Sequence, residues 1–126
     1  MATTDFREQR ARARRKNILK TAAEVFQEKG YHGATIEEIA HRLKLTKGSI
    51  YYYVESKQEL LYQCHEVAMS MLLKRLEAVA ASDEPPSSKL RKAIINHVEV
   101  LTDEISLITV ALQQEYALAP EYREKI

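Results

Sequence analysis

An all-α fold follows from three observations. The 126 residues include only three glycines and three prolines, so few positions break a helix. Apolar residues recur at spacings of three and four along most of the chain, a helical period. Two capping-box patterns, Thr35-x-x-Glu38 and Ser56-x-x-Glu59, mark helix starts ahead of such runs. The expected order is three helices in front, a long fourth helix, and further helices behind it.

Residues 1–9 are expected as a loose arm, followed by the basic cluster Arg10, Arg12, Arg14, Arg15 and Lys16. Ile18, Ala22 and Phe26 then recur at i, i+4, i+8, which predicts an amphipathic helix ending near Lys29. Gly30 stands where a left-handed residue closes a helix. The second helix, capped by Thr35, buries Ile36, Ile39, Ala40 and Leu43. Leu45 plugs the turn, and Thr46 caps a third helix whose Ile50 and Val54 face inward. Lys47, Ser49, Tyr51 and Tyr52 are left at or near the outside.

Ser56 opens the long helix, expected to reach about Ala81 with a broad apolar surface from Leu60 to Val79. Ser82–Ser87 reads as a linker. A fifth helix over about 88–102 is expected to bury Leu90, Ile94, Val98 and Leu101, and a sixth spans about 105–118. Pro120 suits the first turn of a seventh. A single turn is unstable alone, so the reading expects a fragment of a longer protein.

Composition narrows the function classes. Cys64 is the only cysteine, so no intrachain disulfide forms, and its place on a helix predicts a buried, inert thiol. No apolar run approaches the roughly 18 residues that span a bilayer, and the charged N-terminus is unlike a signal peptide. A cytoplasmic protein is expected, with no membrane partner. His32, His41, His65 and His97 lack metal-ligand spacing, and no phosphate-cradling glycine loop is present. No catalytic residue, metal or cofactor is expected, and an enzyme is the weaker rival. Residues 1–57 carry 12 Lys/Arg against 7 Asp/Glu, and residues 58–126 carry 7 against 11. A basic front half points to an anionic partner at one end.

Two short capped helices about three residues apart, behind a basic helix, form a helix-turn-helix pattern over about 35–54. The pattern also fits a helical protein-interaction module without DNA binding.

Ile18-Leu19, Ala22-Ala23, Phe26, Gly30-Tyr31, Thr35, Ile39-Ala40, Lys47 to Tyr53 and Lys57 to Leu61 together resemble the TetR family of bacterial transcriptional regulators. Val54 stands where that family often has Phe, and Tyr53 where His is common. The resemblance implies an N-terminal three-helix helix-turn-helix DNA-binding domain over 12–72. A long helix joins it to a truncated helical ligand-binding and dimerisation domain, begun by 73–126. It also implies a homodimer on double-stranded operator DNA, released by a small-molecule effector.

Carried over by position, the DNA-binding residues are Arg14, Arg15, Thr35, Thr46, Lys47, Gly48, Ser49, Tyr51, Tyr52 and Lys57. Lys47–Val54 is the recognition helix, the tyrosine hydroxyls meet phosphates, and Thr35 and Lys57 hold phosphates at two further helix starts. Met71, Ile94, His97, Val98, Leu101, Ile108 and Leu112 are the expected pocket lining, with Met69, Leu72, Leu76 and Gln113 as further candidates. The stretch 105–126 is similar to regulators of lipid and acyl-CoA breakdown, which implies a hydrophobic or acyl-CoA effector.

Overall fold

The computed structural model describes residues 2–103 and 105–125. Among the described residues, seven α-helices follow in order, α1 (Ala2–Gly33), α2 (Ile36–Arg42), α3 (Lys47–Tyr53), α4 (Lys57–Ala80), α5 (Pro86–Asp103), α6 (Ile105–Gln113) and α7 (Pro120–Arg123). A 3-10 turn, Glu115–Ala117, lies between α6 and α7. None of these helices is long and apolar enough to cross a membrane.

Helix α1 begins well before the expected arm ends. The Phe6 ring lies under the Arg10 guanidinium at 4.6 Å, and Glu8 pairs with Arg12 at 3.6 Å. Both are i, i+4 pairs that support an exposed helix, and no glycine or proline precedes Gly30 to interrupt it. Gly30 does break it, at φ 73° and ψ 169°. A Cβ there would meet no atom within 4 Å, so the glycine answers a backbone need and not a crowded site.

Thr35, Thr46 and Ser56 each accept the N–H three residues on, at 3.1 Å. These are the three side-chain caps that the sequence places at the starts of α2, α3 and α4. The α2–α3 turn is a Schellman closure. Leu45 N–H bonds the Ala40 carbonyl at 2.9 Å and Lys44 N–H bonds that of His41 at 3.1 Å. Lys44 takes the left-handed position at φ 56°, where glycine or asparagine is more usual.

One core runs from the front helices into α6. Ile18, Ala22, Phe26, Ile39, Ile50, Leu60, Leu61, Cys64 and Ala68 are buried with Val100, Leu107, Val110, Ala111 and Leu118. Helix α4 packs on α1, α5 and α6, and α6 also packs on α1. The Cys64 thiol donates to the Leu19 carbonyl at 3.5 Å, and burial pushes its pKa up to about 12. It is a packed, protonated thiol at neutral pH.

Two later boundaries move, and one helix buries a different face than expected. Helix α5 starts at Pro86, a residue suited to a first helical turn, so the linker is shorter than expected. Helix α6 ends at Gln113 and not near Leu118. Gln114 is buried there, and its Nε2 donates to the Phe26 carbonyl at 2.6 Å.

The third change is in what α5 buries. Ala93, Asn96 and Val100, at i, i+3, i+7, are shielded along one face and Leu101 is half-buried, while Leu90, Ile94 and Val98 are exposed.

Candidate nucleic-acid interface

The outer surface of α3 is where the polar residues of the front half converge. Tyr51 and Tyr52 are 46% and 83% exposed, so both hydroxyls are open to solvent or a partner. Tyr52 meets Tyr53 edge-on at 5.1 Å, which orients its ring without covering it. The Thr46 and Ser49 hydroxyls lie 3.0 Å apart, next to the cap they share. Arg14 joins them from α1. It lines one open groove of about 400 Å³ with Thr46, Gly48, Ser49, Tyr52 and Tyr53.

Gly48 occupies a helical position where an added Cβ would meet only the Thr46 Oγ1, at 3.8 Å. Packing within the chain therefore gives no reason for a glycine. Its flat surface leaves backbone accessible at the front of α3, a shape suited to close approach of a groove or phosphate.

Lys47 is held at 2.6 Å by the Glu37 carboxylate across the turn. The Lys47 hydrogen bond keeps Glu37 below the usual glutamate range, and Glu37 raises Lys47 in turn. Glu37 was not among the residues expected from sequence, because this contact depends on how α2 crosses α3. A second network fixes α2 on α1. Arg42 forks onto Glu28 at 3.2 and 2.5 Å and reaches Glu38, which also pairs with Lys29 at 3.3 Å.

Lys57 stands differently from the expectation of a phosphate ligand. Its ammonium donates to the carbonyls of Tyr31 at 2.8 Å and Ala34 at 3.1 Å, and it sits 4.3 Å from the Tyr31 ring centre. Two of its three donors are spent on carbonyls at the end of α1. Thr35 is exposed and its oxygen accepts the Glu38 N–H, leaving the hydroxyl hydrogen free to donate.

Arg15, grouped with Arg14 by the sequence reading, belongs elsewhere. It lines a separate open cavity of about 700 Å³ between α1, α4 and α7, with Tyr62, Met71 and Lys125 among the walls. Consecutive helix positions point about 100° apart, so Arg14 and Arg15 serve different surfaces.

The expected effector pocket is not enclosed by these residues. Ile94, Val98 and Leu112 are 57%, 56% and 68% exposed, and His97 is exposed as well. Leu101 is half-buried, and the Ile108 side chain lies outside the described residues. Met71 does line a cavity, but it is the α1–α4–α7 one. The reason is the rotation of α5, which turns its apolar stripe away from α4 and α6.

Residues 18–64 match the family described as bacterial regulatory proteins, tetR family. The chain belongs to the TetR family. The fatty acid metabolism regulator protein of Bacillus subtilis (strain 168) is 28% identical over 109 residues, covering 86% of this chain and 56% of that protein. The HTH-type transcriptional repressor NicS of Pseudomonas putida is 32% identical over 105 residues, covering 83% of this chain and 44% of the relative. Among solved structures, the TetR-family regulator PfmR from Thermus thermophilus superposes with a TM-score of 0.77 at 30% identity. That match covers 86% of this chain and 59% of PfmR. The chain thus spans about half the length of the curated TetR-family relatives it matches. The family match ends at residue 64, inside α4, and α4 continues unbroken across residues 72–73.

Proposed function

We propose that this chain is the DNA-reading head, with the first helices of the effector body, of a ligand-released transcriptional repressor. The observation that carries the reading is the groove in which Arg14 meets Thr46, Gly48, Ser49 and Tyr52. It combines a cation, two hydroxyls, open backbone and an exposed aromatic hydroxyl on one face of a short helix. That set suits major-groove edges flanked by phosphates.

In this reading α3 enters the major groove. Thr46, Lys47, Gly48 and Ser49 face base edges, while Tyr51, Tyr52, Thr35 and Arg14 reach phosphates. Lys57 acts from behind, holding the end of α1 in place. Lys47 exchanges Glu37 for DNA, which costs little because the pair is exposed. Two copies engage half-sites about 34–36 Å apart, inside a bacterial cytoplasm. An acyl thioester or similar apolar molecule is the effector, a choice supported by the fatty-acid regulator among the relatives. The exposed stripe Leu90–Ile94–Val98 is then a wall that the remainder of the body completes.

The test is selection of duplexes from a random-sequence pool, followed by titration at several salt concentrations. Affinity should fall steeply with salt. Arg14→Ala should flatten that slope by about one counterion, whereas Ser49→Ala should change which sequences are chosen. A protein that selects no duplex, or binds independently of salt, is the outcome a helical protein-interaction module predicts. Long-chain acyl-CoA should then release the selected duplex, and release by none of a chain-length series would remove the effector assignment.

A further inference from the structure

Gln58, the second residue of α4, joins three distant parts of the chain. Its Nε2 donates to the Tyr31 hydroxyl and to the Ala117 carbonyl, both at 2.7 Å. Its Oε1 accepts the Ala119 N–H, also at 2.7 Å. An N–H can only donate and a carbonyl can only accept, so these two backbone partners fix which way the amide faces. The partners lie 27, 59 and 61 residues away in sequence.

The three partners fall in two parts of the molecule. Tyr31 is part of the head. Its ring is buried, stacked on Phe26 at 5.9 Å and gripped from α4 by Lys57. Ala117 and Ala119 belong to the segment between α6 and α7. Ala119 is the cap residue of α7 and brings no side-chain cap of its own. Two more polar contacts tie the preceding residues down, Gln114 to the Phe26 carbonyl at 2.6 Å and His65 Nδ1 to the Ala111 carbonyl at 3.3 Å. Directional bonds therefore hold this segment along with its apolar contacts. Apolar contacts tolerate sliding, whereas a hydrogen bond weakens steeply once distance or angle departs from its narrow optimum. Such a joint is either made or broken, the property a coupling element needs.

We propose that Gln58 is a positioning residue that locks the helix-turn-helix head to the Ala117–Ala119 segment, so that head orientation and the state of that segment are coupled. The regulatory part of this inference rests on the DNA-binding reading above; the joint itself does not. A molecule that moves the segment breaks the lock and frees the head to tilt. By reciprocity, DNA that fixes the head tightens the segment.

The test is amide hydrogen exchange at Ala119 in the intact protein, unmodified and as Gln58→Leu and Tyr31→Phe. Gln58→Leu removes the acceptor and should speed exchange directly. Tyr31→Phe removes a hydrogen bond to Gln58 and not one to the segment, and it keeps the ring stacked on Phe26, yet it should also speed Ala119 exchange, on the order of fivefold. A merely local role for Gln58 leaves Ala119 unmoved in Tyr31→Phe, and that result overturns the joint. Circular dichroism and the unfolding midpoint show whether each variant is folded. With a duplex chosen by the unmodified protein, DNA should slow Ala119 exchange in that protein and not in Gln58→Leu. Gln58→Leu should also weaken that duplex on the order of tenfold with the salt slope unchanged. Unaltered Ala119 exchange on DNA binding refutes the coupling even if the joint stands. If the unmodified protein selects no duplex, the DNA reading fails, and the DNA-free comparison still decides whether the joint exists.

Discussion

The head and α5 are both amphipathic by pattern, yet they use their patterns in opposite ways. In the head the apolar stripes face one another. Ile18, Phe26, Ile39, Ile50 and Leu60 are at most 1% exposed. In α5 the apolar stripe Leu90–Ile94–Val98 faces outward, and the helix packs through Ala93, Asn96 and Val100. Helical spacing shows that a face is suited to burial. It does not show which neighbour buries it, because a stripe can serve any apolar surface of the right shape. The stripes of the head meet one another because they lie between residues 18 and 68, joined by caps and tight turns, and α6 adds to the same core. The α5 stripe has no such partner among the described residues.

The sharpest test of that contrast is truncation on each side. Ile39→Ala should lower unfolding free energy by about 2–5 kcal/mol, the cost of a cavity in a closed core. Val98→Ala should stay within about 0.5 kcal/mol. Urea midpoints of the two variants measure both, and equal losses would break the comparison.

A smaller effect separates folding from function inside the head. Gly48→Ala should stabilise α3 by about 1 kcal/mol, since glycine is a poor helix former and space exists for the methyl. In the proposed docking the methyl would stand where DNA approaches, so the same change should weaken duplex binding. Stability and affinity that rise together would show that the glycine has no part in contact.

Glu37→Gln is expected to act more weakly and in the opposite direction on binding. It removes a carboxylate that occupies Lys47 and repels phosphate. Affinity should rise several-fold, with the largest gain at low salt. No change in a salt titration would mean that Lys47 stays on residue 37 in the complex.

The smallest expected effect concerns pH. The Arg42 hydrogen bond holds Glu28 below its ordinary value, and Lys29 does the same for Glu38. A depressed carboxylate adds stability that is present above the unfolded pKa and is lost as pH falls through the folded one. The α1–α2 staple should therefore weaken only in the acid range. All these groups are on the surface, so the effect is modest. Unfolding midpoints of the unmodified protein and Arg42→Met should differ at neutral pH and converge under acid. A difference that persists in acid would place the Arg42 contribution in packing and not in charge.

Much of the head was legible because its signals are local. Thr35, Thr46 and Ser56 bond the next turn, Gly30 takes a backbone angle that disfavours other residues, and Ile18, Ala22 and Phe26 share one face within eight residues. The α3 surface was legible for the same reason. Its exposed side chains are consecutive on one short helix. The helical start of α1 was missed because Phe6–Arg10 and Glu8–Arg12 are individually weak. The burial of Tyr31, His65 and Gln114 was missed because each answers a group more than 25 residues away.

The sequence by itself determined the capped starts of α2, α3 and α4 and the break at Gly30, which residues build the core of the head, and which polar side chains share the outer face of α3. Those features depend on neighbours within one or two turns. Only the tertiary structure decided that Arg14 and Arg15 part company, that Lys47 rests on Glu37, and that Lys57 holds carbonyls. It also decided that Gln58 reaches Ala117 and Ala119, and that α5 turns its apolar stripe outward. Each of these depends on how one helix is rotated against another. That rotation is set by the summed packing of the whole core, and short-range spacing carries no record of it.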